Sequence, residues 1–232
     1  MAQTWYDLLF AHWPVPVEAL RPLIPAGLEL DTYEGRAWLA VVPFGMRGIY
    51  LRRLPLRTPL YSRFLELNVR TYVTAGGKAG VWFFSLDAAN PGAVAVARRW
   101  YHLPYYFARM SLRRADGGWI EYASRRVHPG APGARFAGRY RPVGEPYRAE
   151  AGSLEHWLTE RHCLYAADRR GRLYRGDIDH APWPLQPAEA EIRVNTMARP
   201  HGIALPDTAP LLHFARRLDV RAWALAPVAP VV

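Results

Sequence analysis

Phe64 to Val73 and Val81 to Asp87 are two runs of β-branched and aromatic residues separated by Thr74-Ala75-Gly76-Gly77-Lys78-Ala79-Gly80, and no other feature narrows the fold so far. Such runs form strands, and a short Gly-rich connection returns the second antiparallel to the first. The design recurs where Arg109 to Arg114 and Trp119 to Arg125 flank Ala115-Asp116-Gly117-Gly118, and where Leu164 to Asp168 and Arg172 to Ile178 flank Arg169-Arg170-Gly171. Arg36 to Phe44 and Leu218 to Leu225 add further strands, and the Pro/Gly-rich stretch Val127 to Pro146 holds a short one between turns, around Phe136 and Tyr140.

Helical signals are few. Val15 to Arg21 offers a turn or two, Asn90-Pro91 is an N-cap and N1 pair opening a helix to about Trp100, and Ser153 to Arg161 is a third. A chain of 232 residues, half of them apolar and without internal repeats, can bury a large core. The expected architecture is one α+β domain over residues 1–232, mainly an antiparallel β-barrel with about three short helices, because closure removes unpaired strand edges.

No stretch is apolar for long enough to span a membrane as a helix, and Met1 to Phe10 has no basic region ahead of an apolar one, so the expected location is the cytoplasm. The single cysteine, Cys163, excludes an internal disulfide and a Cys-rich zinc site. Thirty basic residues against twenty acidic give a net charge of +10, a field that attracts nucleic acid, anionic lipid or acidic ligands. All thirty but Lys78 are arginines, and Arg is abundant here together with Ala, Pro and Gly, which points to GC-rich codons as the source. The arginines are also dispersed, in pairs such as Arg52-Arg53, Arg98-Arg99, Arg169-Arg170 and Arg216-Arg217, with no zinc-finger, helix-turn-helix or RNP pattern. Nucleic-acid or membrane-surface binding is therefore the minor reading.

Within Glu66 to Val73 the strand period of two puts Glu66, Asn68, Arg70 and Tyr72 on one face and Leu67, Val69, Thr71 and Val73 on the other. The polar face either meets water or lines an interior; periodicity does not choose. In an interior, Arg70 offers its planar fork to a carboxylate while Glu66 accepts a proton or holds the arginine. His12, in an apolar early segment, and His180, ahead of Ala181-Pro182-Trp183, are candidate ligand-binding residues, each weighed against an ordinary buried histidine. Glu155-His156 and His162-Cys163 lack the spacing of a metal motif, and there is no GxGxxG, Walker A or GxSxG, so neither metal nor cofactor is expected.

The segment Arg98 to Ala108 resembles one found in acetoacetate-decarboxylase-like proteins, in which an Arg stands six positions before a Pro, two adjacent lysines follow and an Ala closes the run. Here Arg98, Pro104 and Ala108 match, and Tyr105 and Tyr106 take the lysine positions. Leu20 to Leu30 and Phe84-Ser85-Leu86-Asp87 are similar to two further segments of that superfamily. Most of residues 5 to 225 is similar to the YqjF-like uncharacterised proteins, through Phe10-Ala11-His12-Trp13-Pro14, Glu66 to Val73, Trp82 to Ala88, Leu103-Pro104-Tyr105-Tyr106 and His180-Ala181-Pro182-Trp183.

The resemblance implies a decarboxylase-like β-barrel and no established activity. The superfamily's decarboxylase forms an imine through a lysine of lowered pKa, and a phenol cannot. Lys78, the only lysine, falls in a hairpin loop, where nothing desolvates it. The resemblance makes Arg98 the anion anchor, against its other reading as a cation closing a helix, and lets Tyr105 and Tyr106 polarise a carbonyl or act as acid and base. The expectation is a pocket lined by Glu66, Arg70, Arg98, Tyr105 and Tyr106 for a small anionic or carbonyl-bearing molecule, in a lyase- or isomerase-like enzyme without an imine or in a non-catalytic binder; homo-oligomerisation stays open.

Overall fold

A computed structural model of the chain describes residues 1–50 and 63–228. Arg52-Arg53 lies outside them. Among the described residues thirteen strands share one sheet. Its centre is five antiparallel strands in the order β12 (Leu211–Ala222), β1 (Ala2–Val15), β3 (Ala37–Tyr50), β4 (Arg63–Ala75) and β5 (Lys78–Ala88).

Beyond this centre the sheet branches, so it does not trace one simple barrel. One branch, β6 (Tyr105–Arg114), β7 (Ile120–Arg126), β8 (Arg135–Pro142) and β11 (Gln186–Asn195), runs from β5 to β12. The other, β9 (Cys163–Ala167) and β10 (Leu173–His180), joins the same two strands. Two-residue strands β2 (Glu29–Leu30) and β13 (Ala226–Pro227) pair with β4 and β10. The expectation of antiparallel pairing needs one correction: β5 runs parallel to both β6 and β9, since each is reached from the β4–β5 hairpin by a crossover and not by a tight turn.

Local signals placed the punctuation well. The β4–β5 connection tightens to Gly76-Gly77, both at positive φ (56° and 73°), the conformation that matches hairpin twist and that glycine adopts without a Cβ clash. The three helices are α1 (Val17–Leu20), α2 (Pro91–Trp100) and α3 (Leu154–Thr159). Asn90 and Ser153 cap α2 and α3 by accepting from the backbone N–H of Ala93 (3.0 Å) and His156 (3.2 Å).

The strand β1 carries no clean alternation because it is buried on both faces. Leu9, Ala11 and Trp13 join Leu39, Val41, Leu67, Val69, Tyr122 and Phe136 in the core beneath the β6–β11 branch. Leu8 and Phe10 face the other way, against Phe44, Trp183 and Leu185. Midway along β1 the register shifts, and Asp7 sits at φ 50° with its buried carboxylate accepting from Arg114 (2.6 Å) and Arg216 (2.8 Å). Two of the dispersed arginines thus neutralise a charge that the irregularity buries.

Candidate functional site

Register decides which side chains meet. Across the central strands His12, Ala40, Arg70 and Phe83 are successive partners, as are Val42, Asn68 and Leu86, and Phe44, Glu66 and Ala88. The polar face of β4 therefore shares its side of the sheet with His12 and Phe10. That side is covered, not wet: Glu66, Asn68 and Arg70 are 3%, 5% and 7% exposed.

Arg70 is the anomaly in this row. Its guanidinium lies over the rings of Phe10 (5.2 Å) and Tyr72 (5.9 Å), and its Nε and one terminal nitrogen, Nη2, are buried without a hydrogen-bond partner. No carboxylate among the described residues lies within ion-pair reach. A buried charge without a counter-ion is costly, and an Arg fork with free N–H groups is the geometry that accepts a carboxylate.

Ala40, fully buried, stands between Arg70 and His12 in the same row. His12 is fully buried; its Nε2 is 2.7 Å from the Tyr72 hydroxyl and its Nδ1 is unpartnered. Burial, then the charge of Arg70, then His213 push its pKa well down, so the ring is neutral.

At the other end of the row, the Tyr105 hydroxyl donates to Glu66 Oε2 at 2.7 Å. Burial pushes the Glu66 carboxyl up to about 7, against the pull of the hydrogen bonds from Tyr105 and Asn68 and with a small push from Asp87. Burial and the Glu66 charge drive Tyr105 well above the usual phenol range, so it donates and does not ionise. A carboxyl poised near neutrality beside a fixed donor can take or give a proton at physiological pH.

Strand alternation divides the two tyrosines. Tyr105 follows Leu86 onto the polar side, whereas Tyr106 follows Asp87 onto the opposite one. There its ring is flanked by Arg126 (4.1 Å) and Arg98 (5.5 Å), and Arg126 forms an ion pair with Asp87 at 2.7 Å, the side chains 1% and 0% exposed. Arg98, in the last turn of α2, donates to the Tyr105 carbonyl at 2.7 Å, which joins its helix-closing role to a positioning one. Arg98 and Tyr106 line an open groove of about 1080 Å³ with Arg99, Arg169, Arg170 and Arg172. A second cavity, about 400 Å³, lies beside Phe83 and His201. Neither is lined by Glu66, Arg70 or Tyr105. The five expected pocket residues thus separate into an interior set, Glu66, Arg70 and Tyr105 with His12, and a surface set, Arg98 and Tyr106.

His180 belongs to neither set; it ends β10, stacked on His162 (4.5 Å) and tilted against Trp183 (5.5 Å). Lys78 opens β5 and pairs with Asp177 at 2.8 Å, both about 40% exposed. The Asp87–Arg126 pair was missed as a partnership because its members are 39 residues apart, although Asp87 stood in a matched segment.

The chain matches the model of the DUF2071 family, described as an uncharacterized conserved protein, over residues 2–219. It is 51% identical over 225 residues to the uncharacterized protein YqjF of Bacillus subtilis (strain 168), covering 97% of this chain and 91% of that protein. Among solved structures it is similar to the enduracididine biosynthesis enzyme MppR complexed with pyruvate (TM-score 0.67, 13% identity, 99% of this chain and 90% of that one). It is also similar to acetoacetate decarboxylase from Legionella pneumophila (TM-score 0.63, 13% identity, 99% and 88%). These likenesses show the fold, and the chain belongs to the YqjF-like DUF2071 family.

Proposed function

We propose that the interior polar row binds a small anion bearing a carbonyl, a 2-oxo acid as its class, and that Glu66 exchanges a proton with it without an imine. The two buried Arg70 nitrogens without a partner, Nε and Nη2, carry this reading. Arg70 would take the carboxylate. Glu66, four residues along the same strand face and about 13 Å away between Cα atoms, would lean along the row toward Arg70 to exchange the proton of C3, the carbon beside the carbonyl, with Tyr105 as its fixed donor. The covered face of the central sheet would then be the wall of a barrel-like interior. The similarity to a fold that holds pyruvate in MppR supports the class of ligand, and the surface position of Lys78 supports chemistry without a Schiff base.

The test is proton exchange at C3 of pyruvate and of 2-oxobutanoate, followed by proton NMR in D2O. Enzyme-dependent exchange that Glu66→Gln abolishes, with binding lost in Arg70→Met, is the expected result. Binding that depends on Arg70 without exchange would leave a non-catalytic binder. Failure of every acid to raise the melting temperature, or an equal response from Arg70→Met, would overturn the site. Borohydride should trap no adduct, and one on Lys78 would restore the imine route.

A further inference from the structure

Away from the polar row, the end of α3 and the β9–β10 hairpin bring three metal-binding side chains together. One ligand atom from each of Glu160, His162 and His180 lies within 4.8 Å of the other two. We propose that these residues form a binding site for a divalent transition-metal ion of the zinc type, independent of the site proposed above.

The backbone builds the cluster. Glu160 caps α3, its N–H donating to the His156 carbonyl at 2.9 Å. His162 immediately precedes β9, where its carbonyl accepts from Ile178 N–H at 2.8 Å, and His180 is the last residue of β10, two positions further on. The antiparallel register that pairs Cys163 with Asp177 therefore sets both histidines at one end of the hairpin. In sequence the three read as Glu-x-His and then a distant His, which no short motif groups.

The hydrogen bonds around the cluster orient its donors. The Trp183 N–H donates to Glu160 Oε1 at 2.8 Å, and Oε2 stands 3.7 Å from His162 Nε2. His180 Nδ1 is 2.9 Å from the Ala181 carbonyl, which accepts from this ring in the tautomer that frees Nε2 for a metal. A carbonyl partner on the second ring nitrogen is the arrangement that fixes the tautomer of a metal-binding histidine.

Two imidazoles and a carboxylate are the donor set that zinc takes when its fourth position stays open. Tetrahedral zinc, with bonds of about 2.0 to 2.1 Å, spaces its ligand atoms roughly 3.4 Å apart, so the donors must draw together as the His162 ring turns out of its stack on His180. His162, its side chain 47% exposed, is free to turn and leaves an open approach for the ion. Bound metal would also brace Trp183, which packs edge-on against Phe10 at 4.9 Å.

Equilibrium dialysis of chelator-stripped protein against zinc, read by elemental analysis, tests the site. Wild type should retain one equivalent, His162→Ala and Glu160→Gln should bind at least about tenfold more weakly, and His156→Ala, half-buried in α3 and outside the cluster, should match wild type. Cobalt substitution should give the visible absorption of a tetrahedral site, lost in His162→Ala. Because His162 is exposed, its removal leaves the core intact, which circular dichroism checks. Wild type without retained zinc, or retention unchanged in both His162→Ala and Glu160→Gln, would overturn the proposal.

Discussion

Glu66 should make this protein less stable as the pH rises through neutrality. Its carboxyl is pushed from 4.5 to about 7 by burial. Between those values the native chain holds a proton that the unfolded chain has released, so stability falls as the pH increases across the window and is level above it. The shift is about 2.5 units, and at 1.36 kcal/mol per unit the full penalty above pH 7 is on the order of 3 kcal/mol. Glu66→Gln keeps a carbonyl oxygen for Tyr105 and removes the ionisation. At pH 8 it should therefore exceed wild type by up to about 3 kcal/mol, roughly 6 to 12 °C in Tm for a chain of this size, and the gap should close at pH 5. The assay is thermal unfolding by circular dichroism at pH 5 to 9. Parallel Tm curves for the two proteins would refute the reasoning, because they would mean that Glu66 titrates alike in both states. A stabilised Glu66→Gln that has lost proton exchange would show a buried charge retained for function at a cost in stability.

Three other perturbations follow from the same contacts. Tyr105→Phe deletes a donor at 2.7 Å from Glu66, so its carboxyl should titrate upward from about 7 by about one unit, a shift consistent with a charged hydrogen bond of about 1.5 kcal/mol; carbon-13 NMR of the carboxyl, assigned with Glu66→Gln, would contradict this by showing no rise. Arg126→Met strands the buried Asp87 carboxylate and should cost about 3 to 5 kcal/mol in urea denaturation, most of it regained in Asp87→Leu with Arg126→Met; equal losses in single and double variants would count against the pair. Gly138→Ala places a Cβ 2.8 Å from the Glu191 carbonyl oxygen in the β8–β11 ladder, where backbone cannot yield, and should cost about 1 to 3 kcal/mol; an unchanged denaturation midpoint would show that the ladder gives way.

Much of this molecule was legible locally. The glycine turn at Gly76-Gly77, the caps Asn90 and Ser153 and the shared face of Glu66, Asn68, Arg70 and Tyr72 each follow from a few neighbouring residues, because φ preference, capping and the strand period act over short distances. Strand β1 escaped because a strand covered on both faces loses the alternation that advertises it. Whether the polar face met water depended on the elements that cover it, which is a long-range matter. The parting of Tyr105 from Tyr106, the two unpartnered nitrogens of Arg70 and the convergence of Glu160, His162 and His180 likewise came only from strand pairing, which joins residues that the chain itself keeps apart.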